Sequence, residues 1–159
     1  MKPNQIAIGC DHRGFVLKEA LRKALQAKGY QVKDFGTDSE ASCDYPDFAI
    51  RTALAVQKGE CERGIVICNT GMGVSIAANK VKGVRASLCG SVEAARLARQ
   101  HNDANVLALG AGFVDPALAR DICFTWLETP FEGGRHERRI EKISVYEKGN
   151  ACGSPKAKS

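Results

Sequence analysis

Short apolar runs alternate with longer amphipathic stretches along the whole chain. Residues 5–9 carry Ile6 and Ile8 and read as a short buried strand. Residues 15–29 follow as a helix with Leu17, Leu21, Ala24 and Leu25 on one face, closed by Gly29. Residues 30–35 predict a second strand, 36–44 a polar loop, and 46–58 a helix with Pro46 in its first turn and Gly59 past its end. Residues 63–68 predict a third strand and 74–81 its short helix. A fourth strand is expected over 84–89, then a helix capped by Ser91 and running to about His101. Residues 106–110 give a fifth strand and 116–128 a helix with Leu118, Ile122 and Trp126 at four-residue spacing. A last helix is expected over 135–146. Strands alternating with helices of about ten residues imply a parallel sheet covered on both faces. The expectation is therefore a single-domain, three-layer, Rossmann-like α/β fold with a five-stranded parallel sheet, spanning residues 1–148. Residues 149–159, rich in Lys, Gly, Ser and Pro, are expected to be a disordered basic tail.

One junction in this alternation stands out. The apolar run of 63–68 ends on Cys68, a glycine-broken turn follows (Asn69, Thr70, Gly71), and an Ala-rich helical pattern begins at once. At the carboxyl end of a parallel strand the next helix presents its N–H groups and the positive end of its dipole. A thiol placed there is favoured as thiolate. Gly71 and Gly73 let backbone amides approach an anionic group with no Cβ in the way. A buried cysteine before an ordinary strand-to-helix turn would give the same pattern, since free cysteine is among the most buried residue types.

Composition narrows the setting. The 159 residues are 44% hydrophobic and 26% charged, in the range of an ordinary globular domain with a core of its own. The first five residues hold no apolar signal region and no run approaches a membrane span, so a cytoplasmic protein is expected. Seven scattered cysteines without any C-x-x-C pair argue against a disulfide framework and against a structural zinc site. Of the net charge of +5, residues 133–159 carry a surplus of four. That basic end lacks the aromatic platforms that accompany single-strand binding, so a small anionic ligand or a solvated helix face fits better than nucleic acid. There is no P-loop, no complete G-x-G-x-x-G, no H-E-x-x-H and no G-x-S-x-G.

The remaining polar chemistry collects beside predicted strands: Cys10 to Gly14, Ser42 to Asp47, the Cys68 turn, Arg99 to Asn105, and Gly133 to Arg139. All three histidines lie in these segments. Singly, His12 reads equally as a polar residue leading into a helix, His101 as a helix C-cap and His136 as a surface residue. Loops at one edge of a parallel sheet would bring the first three of these segments together, Cys10 to Gly14, Ser42 to Asp47 and the Cys68 turn.

With these motifs the chain resembles the type B ribose-5-phosphate isomerases, grouped with the galactose-6-phosphate and allose-6-phosphate isomerases. The resemblance is carried by Asp11-His12, Asp44-Tyr45-Pro46-Asp47, residues 68–80, His101-Asn102-Asp103-Ala104-Asn105-Val106 and Gly133-Gly134-Arg135-His136, and it spans residues 5–147. It implies an aldose–ketose isomerase of the pentose phosphate pathway that works through an enediolate and needs no metal or organic cofactor. Cys68 is then the base that takes the C2 proton, with Thr70 placed to hydrogen-bond and tune it. The Glu that some members use six positions on is Val74 here. His101 is the acid that opens the furanose ring. Asn102 and the amides about Gly71 and Gly73 hold the enediolate oxygens. Asp11, His12, Tyr45, Asn69 and Met72 line the sugar pocket. Arg135 and Arg139, four residues apart on one helix face, bind the phosphate. The resemblance also implies a homodimer or tetramer with sites built across the subunit interface, and neither a nucleic-acid nor a membrane partner.

Two positions depart from the family pattern. Asn69 stands where Gly is common, and Gly112 where many members carry an Arg that contacts phosphate. Other readings remain open: an isomerase of a hexose or tetrulose phosphate, a silent sugar-phosphate-binding module, or a redox-sensing thiol protein, for which no resolving pair is evident.

Overall fold

The computed structural model describes residues 4–149. Its elements run β1 (Gln5–Cys10), α1 (Phe15–Ala27), β2 (Gln31–Asp34), α2 (Tyr45–Gln57), β3 (Arg63–Cys68), α3 (Met72–Ala78), β4 (Ala86–Leu88), α4 (Val92–Asn102), β5 (Val106–Gly110), α5 (Pro116–Glu128) and α6 (Arg135–Glu147). The five strands form one parallel sheet in the order β2-β1-β3-β5-β4. The strand-to-helix alternation therefore gives the three-layer architecture that the hydrophobic pattern predicts. The expected basic tail falls almost wholly outside the described residues. Among those described, no helix is long and apolar enough to cross a membrane.

Side-chain size sorts the two faces of the sheet. Ile6, Ile8, Ile65, Ile67, Leu107 and Leu109 alternate onto one face, where they pack with Leu17, Leu21 and Leu25 of α1 and with Ile122 and Trp126 of α5. The residues between them, Val66, Cys68, Val106 and Ala108, face α2 and α3 through Ala49, Ala53, Val74, Ala77 and Ala78. Small residues on that side let α2 come close. A Cβ added at Gly9 would sit 2.0 Å from Thr52 Oγ1. Cys68 therefore projects from the central strand into the tightly packed layer.

Two elements are shorter than the sequence pattern predicts. β4 holds only Ala86–Leu88: the N–H of Arg85 just before it is taken by a side chain, and another side chain occupies its outer border. Asn79 donates from Nδ2 to Ala86 O (2.9 Å) and accepts Ala86 N–H at Oδ1 (2.8 Å), and Asn105 Oδ1 accepts Arg85 N–H (2.7 Å). β2 loses Tyr30, whose N–H turns back to Leu25 O at the end of α1. The expected helix over 74–81 is shifted to start at Met72, directly after Gly71, and it ends at Ala78.

Candidate active site

The carboxyl ends of β1, β3 and β5 meet at one edge of the sheet, where Cys10 is in register with Ile67 and Cys68 with Gly110. After Cys68 the chain turns through Gly71 at φ +76°, a left-handed conformation that suits glycine. A Cβ there would lie 2.4 Å from Leu88 Cδ1 and 2.8 Å from the Leu109 carbonyl carbon, so the position is closed to other residues. The turn aims the Gly71 N–H at Cys68 Sγ, 3.2 Å away, and leaves the sulfur-bearing residue only 6% exposed. Thr70 does not pair with the thiol as expected. Its Oγ1 accepts the Met72 N–H (3.2 Å), capping the first turn of α3 instead. Of the two glycine amides expected to hold substrate oxygens, that of Gly71 is directed at the sulfur. The Gly73 N–H belongs to the first turn of α3, where no intrahelical carbonyl stands opposite.

The turn after β1 forms the neighbouring wall. Asp11 is buried, and its Oδ1 accepts N–H bonds from Arg13 (2.9 Å) and Gly14 (3.1 Å), which fixes the backbone on which His12 stands. His12 Nδ1 accepts the Cys43 N–H (3.2 Å), an arrangement that leaves the ring proton on Nε2. Tyr45, at the start of α2, lays its ring against Gly73, where an added Cβ would be 2.7 Å from Tyr45 Cζ. Between these walls lies a cavity of about 250 Å³ lined by His12, Arg13, Glu40, Asn69, Ala111 and Gly112. An apolar cavity of about 280 Å³ adjoins it, bounded by Thr70, Met72, Leu88, Gly110 and Phe113 among others. A larger hollow of about 360 Å³ between α1 and β2 holds no nucleophile, and its Lys18 and Arg22 are already paired with Asp34 and Glu19.

His101 and Asn102 are not at this edge. They occupy the last turn of α4, which runs back to the amino ends of the strands before feeding β5. Gly64 N–H at the start of β3 bonds Asn105 O (3.0 Å), and Arg85, just before β4, donates to Asn102 O and Asp103 O (both 2.9 Å). Roughly 15 Å of strand separates that edge from Cys68. The loops after β1, β2 and β3 meet at the carboxyl edge as expected, while the direction of α4 carries the segment of His101 to the opposite one. Arg135 and His136 open α6, which packs against α4. The His136 ring stacks on that of His101 with centroids 4.2 Å apart and planes 10° from parallel, and Glu132 Oε2 lies 3.5 Å from His136 Nε2 and 4.0 Å from His101 Nε2. Burial pushes the His136 imidazole below its ordinary value, with His101 and Arg135 adding to the effect and Glu132 opposing it. The donor atoms of His101, Glu132 and His136 lie within 4.8 Å of one another, the one such group of three among the described residues. Parallel rings send their lone pairs side by side rather than to one point, which suits a shared carboxylate better than a shared metal ion.

A family model for ribose/galactose isomerases matches residues 6–143. The chain belongs to the ribose/galactose isomerase family. Ribose-5-phosphate isomerase B of Escherichia coli (strain K12) is 50% identical over 143 residues, which is 90% of this chain and 96% of the relative. D-erythrulose-4-phosphate isomerase of Pectobacterium atrosepticum is 43% identical over 143 residues, 89% of this chain and 94% of its own. The crystal structure of ribose-5-phosphate isomerase B from Mycoplasma genitalium, with ribulose 5-phosphate bound, matches the fold with a TM-score of 0.88 at 48% identity. It covers 91% of this chain and 96% of that one.

The residues singled out from the sequence fall into two groups. Asp11, His12, Tyr45, Cys68, Asn69, Thr70, Gly71, Met72 and Gly73 gather at the carboxyl edge, and His101, Asn102, Arg135 and Arg139 at the amino edge. Glu132 and the lacing arginines Arg85 and Arg99 carry no motif of their own, and only the folded turn reveals them.

Proposed function

We propose that this chain interconverts ribose 5-phosphate and ribulose 5-phosphate through an enediolate, with Cys68 as the base. The observation that carries the reading is the Cys68 sulfur at the end of the central strand, facing the Gly71 N–H at the sheet edge to which the Asp11–Gly14 turn and Tyr45 also belong. A donor directed at sulfur interacts more strongly with the anion than with the neutral thiol. His101 donates a proton to the furanose ring oxygen as its bond to C1 breaks, and the O1 hydroxyl gives up its proton in exchange as the C1–O1 double bond forms, opening the sugar to the aldehyde. The Cys68 thiolate then takes the C2 proton, the electron pair becomes the C1–C2 double bond, and negative charge moves to O1. Return of a proton to C1 and transfer of the O2 hydroxyl proton to O1 leave the ketone at C2, with no atom gained or lost. Asn102 and the Gly73 N–H hold the enediolate oxygens, and Arg135 and Arg139 take the phosphate. The route uses no metal or organic cofactor.

The half-sites at opposite edges support assembly of the working site from two copies of the chain, the carboxyl edge of one facing the amino edge of the other. Exposed apolar side chains beside the Cys68 turn, Met72, Ile76, Leu88 and Phe113, supply a surface for that contact. A second reading, turnover of a tetrulose or hexose phosphate, is favoured by the Asn69 and Gly112 departures and by the relative that acts on a four-carbon sugar phosphate. Turnover across four-, five- and six-carbon sugar phosphates without added metal tests both. The expected result is the highest kcat/KM on the ribose–ribulose pair; preference for another sugar by tenfold or more would select the second reading.

A further inference from the structure

The guanidinium that shares the cavity beside the base is neither Arg135 nor Arg139, which stand at the other edge of the chain. It is Arg13. Its backbone is pinned to the rim of the site by the Asp11 carboxylate (2.9 Å to its N–H), and its Nη2 reaches across to Asn69 Oδ1 at 3.4 Å. Among the described residues that neutral amide oxygen is its one side-chain hydrogen-bond partner, and it forms no ion pair with Glu40, the one carboxylate that lines the same cavity. His12 lines the same cavity with its Nε2 proton free of the Cys43 contact, which is made at Nδ1. The cavity begins one residue from Cys68, within the span of a five-carbon chain whose C2 lies at the sulfur.

Gly112 closes the other side, and its need for glycine has a cause other than φ, which lies outside the left-handed region. A Cβ at Gly112 would meet Asn69 Oδ1 at 2.8 Å and Asn69 O at 3.1 Å. Asn69 therefore occupies the space in which any side chain at 112 would start. The same amide orients the Arg13 guanidinium. Asn69, Gly112 and Arg13 thus form one unit in which the cation comes from the β1 turn rather than from the β5 turn.

We propose that Arg13, with His12, adds to Arg135 and Arg139 of a second copy in binding the substrate's phosphate group. This rests on the isomerase reading above. A guanidinium offers two parallel N–H donors to phosphate oxygens, and loss of one such charge-assisted contact weakens binding by about tenfold or more. Arg13→Ala is therefore expected to raise KM for ribose 5-phosphate by about tenfold or more with kcat changed only a few-fold, and to weaken inhibition by inorganic phosphate in parallel. Arg13→Lys should recover part of both losses. Adding Asn69→Gly and Gly112→Arg to Arg13→Ala should lower KM again, because the cation then returns from the β5 side, whereas Gly112→Arg alone should not, since Asn69 blocks it. An active parent whose KM and phosphate inhibition are unmoved by Arg13→Ala would overturn the proposal. If the parent turns over no sugar phosphate, the isomerase reading itself fails. Calorimetric titration of parent and Arg13→Ala with inorganic phosphate then still decides whether Arg13 is an anion ligand: equal affinities overturn it.

Discussion

Six cysteines lie within the described residues, and their surroundings divide them sharply. Burial among apolar side chains pushes the thiols of Cys10 and Cys123 up to about 12 and that of Cys89 to about 11, and Cys61 is raised as well. At neutral pH these four are protonated core fillers. Cys68 differs in having a backbone N–H aimed at its sulfur and in being 6% exposed at the end of its strand, where the other four are exposed by 1% or less. Iodoacetamide at neutral pH should therefore modify Cys68 before Cys10, Cys61, Cys89 and Cys123, and a sugar phosphate should slow that labelling; peptide mapping by mass spectrometry reads both. Cys68→Ala should lower kcat by roughly 10²–10⁴ or more while leaving thermal unfolding close to the parent. A variant that turns over within a few-fold of the parent would remove Cys68 from the chemistry. At this scale the sequence was a good guide to which residues meet at the carboxyl edge, because Asp11, Asn69 and Gly71 directly follow strands. It was a poor guide to what they touch. Thr70 looked placed for the thiol by proximity in sequence, yet its hydroxyl oxygen is taken by the Met72 N–H, a local choice made by the turn's dihedral angles.

The turn from α4 into β5 shows how an element holds chemistry in place without touching substrate. Asp103 ends α4 in a left-handed conformation (φ 43°), a local cost that its neighbours offset. Arg99 donates to Ala104 O (2.6 Å) and pairs with Asp103 Oδ1 (2.8 Å), while Arg85 donates to the carbonyls of Asn102 and Asp103 and to Asp103 Oδ2 (3.3 Å). Arg85→Ala removes three of these bonds at once. It should destabilise the fold by about 1–3 kcal/mol, measured by chemical denaturation. It should also lower kcat more than it raises KM, because His101 and Asn102 lose their fixed setting while Arg13 and the carboxyl-edge cavity do not. An effect on KM alone would separate this turn from the proton transfers. Helix caps at this scale were legible: Ser91 Oγ accepts the Ala94 N–H (3.1 Å), as a capping serine should. The start of β4 was not, because Asn105, reaching from elsewhere in the chain, takes the Arg85 N–H, and hydrophobic alternation carries no trace of such a partner.

For the whole molecule, the alternation of strands and helices was enough to give a parallel three-layer fold, but not which edge each loop occupies. His101 follows a helix rather than a strand, and a helix in this architecture ends where the strands begin. The candidate residues therefore stand at two edges, and mixing tests the proposal that two chains complete each other's site. Cys68→Ala and His101→Asn, each inactive alone, should on co-refolding regain about a quarter of the parental activity, since half the dimers are mixed and each mixed dimer holds one intact site. No recovery, with mixed dimers verified by mass spectrometry, would mean that each site is built from a single chain. One further consequence follows from the Asn79 amide, which holds both the N–H and the C=O of Ala86 on the outer border of β4. An outermost strand normally offers a ladder of free backbone groups to any extended segment that drifts past. Here that ladder is three residues long with its first rung already occupied, so this border of the sheet, though not the one at β2, has a built-in terminus against strand-by-strand growth into fibres. Removing the amide, as in Asn79→Ala, would open that border to stray polypeptide in a crowded solution.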